Sequence, residues 1–240
     1  VHSFPTRRSS DLRVAHALGA PLPEFVPTVR PSRETEARRE MCELVHRAYD
    51  QQLFTSTQGT FSVRLDAHSF LITPYGTDRR YLEPGDPVLI RNGEREAGKI
   101  PSHSVGLHQS IFRRQPHVNA IIIAHAPHIM AFAVTEEVFD SRTIPESYIM
   151  LRHVPKIPFS SSILQPELTA DVFVPSVPVV IVENDAVIVT GSSLLNAFDR
   201  LEVAEYSAKG IIDSRLLGEM IAINDAQVAE IEDAFGLPTA

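Results

Sequence analysis

The sequence contains one cysteine, no tryptophan and, by count of the printed chain, only three lysines among 240 residues. The lone Cys42 has no partner within the chain, so a disulfide-stapled secreted architecture is excluded, and a reducing compartment, the cytoplasm, is the expectation. Long apolar runs are also missing. The most apolar segment, Asn119 to Val134, is interrupted by His125, Pro127 and His128, and falls short of the ~18 uninterrupted apolar residues a membrane span requires. Positive charge is scarce, with 22 basic against 30 acidic residues and a formal charge of −8. A nucleic-acid partner is therefore not expected, because such proteins concentrate cations to displace counterions from phosphates. What remains is ordinary: 43% hydrophobic and 22% charged residues, with 11 Gly and 18 Pro, exclude collagen, coiled coil and wholesale disorder. A chain of this length buries roughly 70–75% of its unfolded surface, enough for a core that needs no staple.

The first twelve residues, Val1 to Leu12, are rich in Arg and Ser but have no amphipathic period, and the string Phe4 to Leu12 looks like a translated sequencing-adapter fragment. From Ala20 to Ser32 the prolines Pro21, Pro23, Pro27 and Pro31 break any helix, which predicts an extended arm lying on the body. The arm is thus assigned to residues 1–32 and the folded domain to residues 33–240.

Glu34 to Leu53 places Ala37, Met41, Leu44, Val45 and Ala48 at helical spacing, with Arg38, Arg39, Glu40, Glu43 and Arg47 on the other face. Short alternating runs at Phe61–Leu65, Phe70–Thr73 and Val88–Arg91, the last followed by the hairpin signal Asn92-Gly93, predict antiparallel strands. Strand and helix then alternate: a helix over Ser104–Arg114, a strand over Val118–Ile123, and a Pro127-started helix reaching about Val134. A turn-rich loop runs through Glu146. Two apolar strands, Val179–Val182 and Ala186–Thr190, flank Glu183-Asn184-Asp185, and Ser192 caps a long helix over Leu194–Leu217. A last helix spans Asp225–Phe235. With no repeat or composition break after residue 32, this is one α/β domain with a mixed, partly antiparallel central sheet covered by helices.

The densest group of potential ligands is His103 and His108 in Ser102-His103-Ser104, then His125 and His128 in His125-Ala126-Pro127-His128. Imidazole is the commonest metal ligand, and a strand end feeding a helix is where sites are built. Isolated histidines are more often hydrogen-bonded structural residues, and His46, His68, His117 and His153 are read that way. Cys42 is read as a small buried helix residue with no chemistry.

The order of short blocks carries a resemblance. Gly59-Thr60-Phe61-Ser62-Val63-Arg64, Phe70-Leu71-Ile72-Thr73-Pro74-Tyr75-Gly76, Pro101-Ser102-His103-Ser104, Arg114-Gln115-Pro116-His117-Val118-Asn119-Ala120, Ala124-His125-Ala126-Pro127 and Val180-Ile181-Val182-Glu183-Asn184-Asp185-Ala186 follow one another as in the class II aldolase/adducin family. The chain resembles that family over roughly Glu34 to Ile212. The resemblance implies the family's three-layer fold, a homo-oligomer (a tetramer with sites near subunit boundaries), a sugar or sugar-phosphate ligand, and a zinc site of three histidines with a proton-moving glutamate. It also implies a pocket of small residues and backbone amides for the substrate phosphate, here Gly59, Thr60, Gly76 and Ser102. Several positions depart from the pattern. Ser104 stands at the glutamate, Ile123 at the first histidine of His-x-His, Asp185 at the third histidine, Thr60 at the phosphate-side asparagine and Tyr75 at a small residue. His125 and His108 survive.

Two readings follow. In one, the site is rebuilt for zinc or manganese, with His125 and Asp185 as ligands, His103, His128 or a water completing the shell and Glu146 or Tyr148 relaying the proton, which makes the protein a metal-dependent carbon–carbon lyase. In the other, the metal is lost and the scaffold binds or assembles without catalysis. Ile123 favours the second, because an apolar side chain facing a metal pocket repels the ion.

Overall fold

A computed structural model describes residues 21–237; the reading of Val1–Leu12 lies outside them. The described residues begin with β1 (Glu24–Phe25), where the carbonyls of the preceding Pro23 and of Phe25 accept hydrogen bonds from the Arg95 and Ala97 amides. The helix α1 (Ser32–Asp50) follows, and then β2 (Thr60–Arg64), β3 (Ser69–Ile72), β4 (Val88–Arg91) and β5 (Glu94–Glu96). Helix α2 (Val105–Arg114) leads to β6 (Ala120–Ala124), α3 (Pro127–Ala133), α4 (Pro145–Leu151) and β7 (Lys156–Ile157). Two short helices, α5 (Ser161–Leu164) and α6 (Pro166–Val172), precede β8 (Val179–Val182), β9 (Ala186–Gly191), α7 (Leu194–Ser214) and α8 (Asp225–Phe235).

The strands form one sheet of order β1-β5-β4-β3-β2-β6-β9-β8-β7, antiparallel except at its two edges, where β1 pairs with β5 and β7 with β8 in parallel. Alternation along each strand sends side chains to two cores. Phe61, Leu71, Leu89, Ile122, Val187 and Val189 join Met41 and Val45 of α1, Ile129 of α3 and Phe198 and Leu201 of α7 on one face. Phe70, Ile72, Val88, Ile121, Val180 and Ile188 meet Leu107, Ile111 and Phe112 of α2 and Ala170 of α6 on the other. Helix, sheet and helix make three layers around a mixed sheet, the architecture expected from the alternating pattern. Among the described residues no helix is long and apolar enough to cross a membrane.

Local chemistry explains the elements that were legible. Asn92 and Gly93 turn the β4–β5 hairpin with φ of 51° and 81°, the left-handed pair that a type I′ turn requires. Asn224 and Gln227 form a reciprocal capping box at the start of α8. In α1 the structure corrects one assignment: Arg38 lies in the interior at 2% exposure and not on the solvent face. Its Nε donates to Glu34 at 2.8 Å and its Nη2 to Glu96 of β5 at 2.9 Å, and Arg30 and Lys99 also reach Glu96. A buried cation is tolerable only with such partners, and they fasten α1 to β5, the strand next to the sheet's β1 edge. Cys42 is buried on the same helix, where burial and the nearby Asp86 push its thiol up to about 12 and leave it inert.

Candidate functional site

Five chain segments meet at one end of the central strands. Gly59 and Thr60 start β2, Tyr75 and Gly76 follow β3, Ser102 to Ser104 precede α2, His125 follows β6, and Asp185 ends the β8–β9 turn. The ladder sets their lateral order, with Thr60 opposite Ile123 and Ile123 opposite Ile188. The Tyr75 amide donates to the Ile100 carbonyl at 2.9 Å and the Ser102 amide to the Thr73 carbonyl at 3.0 Å, so the loops after β3 and before α2 are zipped together.

Across this zipper runs a chain of hydroxyls. Thr60 Oγ1 lies 2.8 Å from Ser102 Oγ, which lies 3.0 Å from Ser104 Oγ. Beneath it Arg79, 2% exposed, donates from Nε and Nη2 to the Gly59 carbonyl at 3.2 and 3.0 Å, and from Nη1 to the Pro74 and Thr77 carbonyls at 3.1 and 3.0 Å. All of these partners are carbonyls. Burial therefore lowers the Arg79 guanidinium to about 10, opposed by the charge of Asp78. Gly59 has φ of +77°, and a Cβ there would come within 2.6 Å of the Phe54 ring, so only glycine allows both the turn and the packing.

His125 is held by its amide, which donates to the Leu53 carbonyl at 3.1 Å, while its Nδ1 is buried without a hydrogen-bond partner. Burial lowers the pKa of its imidazole, and the nearby Asp185 carboxylate opposes that shift. Asp185 in turn accepts from Ser162 Oγ at 3.1 Å. His125 and Asp185 are thus electrostatic neighbours. Most of the other residues considered as ligands or proton carriers are engaged by partners of their own. The His103 ring stacks on Tyr75 with centroids 4.0 Å apart. The Nδ1 of His128 is 2.6 Å from Glu205 of α7, whose carboxylate also accepts the first amides of α3. Tyr148 donates its hydroxyl to Glu232 of α8 at 2.8 Å, and Glu146 is exposed on the first turn of α4.

Among the described residues no group of three or more His, Cys, Asp or Glu is placed to hold a metal ion. Ile123, on β6 two positions before His125, is half-buried and packed against the α2-side core. A histidine, an aspartate and an apolar wall do not fit a zinc or manganese shell within one chain. The single-sequence reading missed Arg79, Glu205 and Ser162, which position the site without belonging to any motif.

The arrangement matches a known family. The family model for the Class II Aldolase and Adducin N-terminal domain matches residues 39–212. The chain belongs to this family. L-fuculose phosphate aldolase of Methanococcus vannielii is 28% identical over 175 residues, covering 71% of this chain and 93% of that protein. The 3-oxo-tetronate 4-phosphate decarboxylase of Haemophilus influenzae is 26% identical, covering 82% and 97%. The solved structure of a sugar-phosphate aldolase from Thermotoga maritima superposes with a TM-score of 0.68 at 20% identity, covering 78% of this chain and 97% of that one. The class II aldolase fold is therefore shown, and the relatives are sugar-phosphate lyases by name.

The class II aldolase framework also explains His108, a survivor of the family pattern. It is fully buried on α2, with Nδ1 2.6 Å from Ser62 Oγ. Burial drives its pKa down to about 3, so it stays neutral in the folded protein. In the unfolded chain the imidazole takes up a proton below its ordinary pKa near 6.5. Unfolding therefore gains one proton as pH falls from there toward 3, and stability is lost over that window at about 1.4 kcal/mol per pH unit. Denaturant titrations from pH 7 to 4 should show the wild type losing stability more steeply than His108→Gln by up to this amount; equal slopes would contradict it.

Proposed function

We propose that this chain binds a small sugar or sugar phosphate at the Gly59–Thr60–Ser102 end of the sheet and does not perform the family's metal-assisted aldol cleavage. The observation that carries the reading is the donor set: the Asp185 carboxylate is the charge that acts on the buried His125, the apolar Ile123 lies two positions before it on β6, and Ser104 stands where the family resemblance implies a glutamate. Retro-aldol cleavage needs a Lewis acid at the carbonyl and a base at the proton, and tuning by surrounding residues changes metal affinity only by about 10–100-fold, too little to replace missing ligands. The hydroxyl chain and the relatives' sugar-phosphate ligands support the binding half of the proposal. The cytoplasm and a homo-oligomer are part of the same reading.

Metal analysis by mass spectrometry on the untagged protein in its solution assembly tests it, since ligands contributed by a second copy would then be counted. After chelator dialysis and readdition of zinc or manganese, wild type and His125→Ala are expected to carry the same substoichiometric metal. Near-stoichiometric metal that vanishes in His125→Ala would establish a rebuilt catalytic centre and overturn the proposal.

A further inference from the structure

Helix α8 is 11 residues long and none of its residues is buried. An isolated helix of that length is marginal in water, so α8 depends on what it rests against. Among the described residues, the bonds that tie it and its approach to the body are polar and few. The Ile223 amide donates to the Arg142 carbonyl at 2.9 Å. Arg142 Nη1 reaches Asp225 at 3.3 Å, but that carboxylate is fully exposed and water screens the pair. The remaining bonds converge on one atom: the Tyr148 hydroxyl donates to Oε1 of Glu232 at 2.8 Å, and Arg152 Nη2 donates to the same oxygen at 2.9 Å.

The receiving side, by contrast, is buried and rigidly set. Arg152 is 5% exposed, and its backbone has φ of 55° and ψ of −128°, a strained setting for a residue with a Cβ. Three bonds impose it. The Arg152 amide donates to the Tyr148 carbonyl at 2.9 Å, its carbonyl accepts from the Ser141 hydroxyl at 2.5 Å, and the next amide, of His153, donates to the Ser176 carbonyl at 3.2 Å. The guanidinium lies over the Tyr148 ring, 5.0 Å from its centroid, which fixes the cation beside that side chain. Burial, and after it the bond to Glu232, raises the pKa of Tyr148, so its hydroxyl remains a donor. A buried cation on strained backbone, with a second donor converging on the same oxygen, is the arrangement of an oxyanion clamp. Exposed ion pairs fasten a surface helix without strain in the body, so the clamp points to a ligand whose place the carboxylate takes.

We propose that Arg152 and Tyr148 form an oxyanion site that the Glu232 carboxylate of α8 fills, and that the phosphate or carboxylate group of a small molecule competes with α8 for it. The carboxylate is tethered through the segment between Ser214 and Asp225, so it stands at a fixed effective concentration and weakens a free anion in proportion. An anion that wins the site releases the helix, whose 11 residues do not hold their structure alone. Helix α8 is thus an autoinhibitory latch. The inference is independent of the sugar-binding reading, since none of its residues belongs to the Gly59–Thr60–Ser102 end.

Isothermal titration of the full chain with inorganic phosphate and, separately, with acetate tests the site, and hydrogen exchange of the Asp225–Phe235 amides tests the latch. Glu232→Ala is expected to bind one of the two anions roughly three- to tenfold more tightly than the wild type, and the anion that gains more identifies the head group as phosphate or carboxylate. Saturating anion should speed exchange across α8 in the wild type, whereas in Glu232→Ala that exchange is fast from the start. The body stays folded in this variant because α8 buries nothing, which thermal melting checks. The gain should vanish in Glu232→Ala/Arg152→Gln and shrink in Glu232→Ala/Tyr148→Phe, which keeps the ring under the guanidinium and decides the matter if the arginine variant does not fold. Equal anion affinity in the wild type and Glu232→Ala, or α8 exchange indifferent to anion, overturns the latch. A gain that neither second substitution reduces places the anion elsewhere and overturns the site.

Discussion

Replacing Arg79 with methionine is expected to destabilise the protein by about 3 kcal/mol and lower its melting temperature by roughly 6–12 °C. The side chain is 2% exposed and its four hydrogen bonds end on the carbonyls of Gly59, Pro74 and Thr77. Methionine fills the volume but satisfies none of these acceptors, and each buried carbonyl left unpaired costs about 1–3 kcal/mol, partly relieved by water reaching the nearest ones. Lysine should rescue only part of the loss, because one ammonium group cannot span three carbonyls held by a planar fork. The sugar affinity of folded Arg79→Met protein should fall as well, since the same bonds join the Gly59 turn to the Pro74–Thr77 loop. Differential scanning calorimetry reads the first effect and titration of a bound sugar the second. A shift in melting temperature below about 2 °C would show that the carbonyls find other partners and that Arg79 orders nothing.

The elements readable from sequence were those whose cause is local. The Asn92-Gly93 hairpin, the apolar strands Val179–Val182 and Ala186–Gly191 and the capped helix Asp225–Phe235 each carry their signal within a few residues. Helices α4, α5 and α6 went unread between Pro145 and Val179 because they are short, two of them start at Pro145 and Pro166, and they rest on tertiary packing, α4 on α7, α6 on α2 and α5 on α6. The site divides the same way. His125, Gly59 and Ser102 were visible because family blocks mark them. Arg38 and Arg79 were not, since local pattern assigns an arginine to solvent, and their burial depends on partners such as Glu96, 58 positions away, and the Gly59 carbonyl, 20 away. The partners of His103 and His128 were equally hidden, since the Tyr75 ring lies 28 positions before His103 and Glu205 lies 77 positions beyond His128.

Rebuilding the missing donors should restore a metal site. Ile123 near the end of β6 and His125 just beyond the strand are two positions apart, the spacing of the His-x-His pattern, and Asp185 is an electrostatic neighbour of His125. Ser104 lies at the start of α2, joined to the same hydroxyl chain. The triple variant Ile123→His, Asp185→His, Ser104→Glu therefore supplies three imidazoles and a carboxylate at the end of the sheet. It is expected to bind one zinc ion per chain with an affinity of about micromolar or tighter, against no saturable binding in the wild type. The substitution at Ile123 carries a penalty of about 1–3 kcal/mol, because a polar ring then enters a wall packed against the core that includes Leu107 and Ile188. Zinc should recover part of that loss, visible as a rise in melting temperature on adding the ion. Removing His125 from the triple variant should abolish both the binding and the rise. A folded triple variant that takes up no zinc would place the obstacle in the course of the loops and not in the three replaced side chains. Zinc binding without His125 would mean that the new residues assemble a different site.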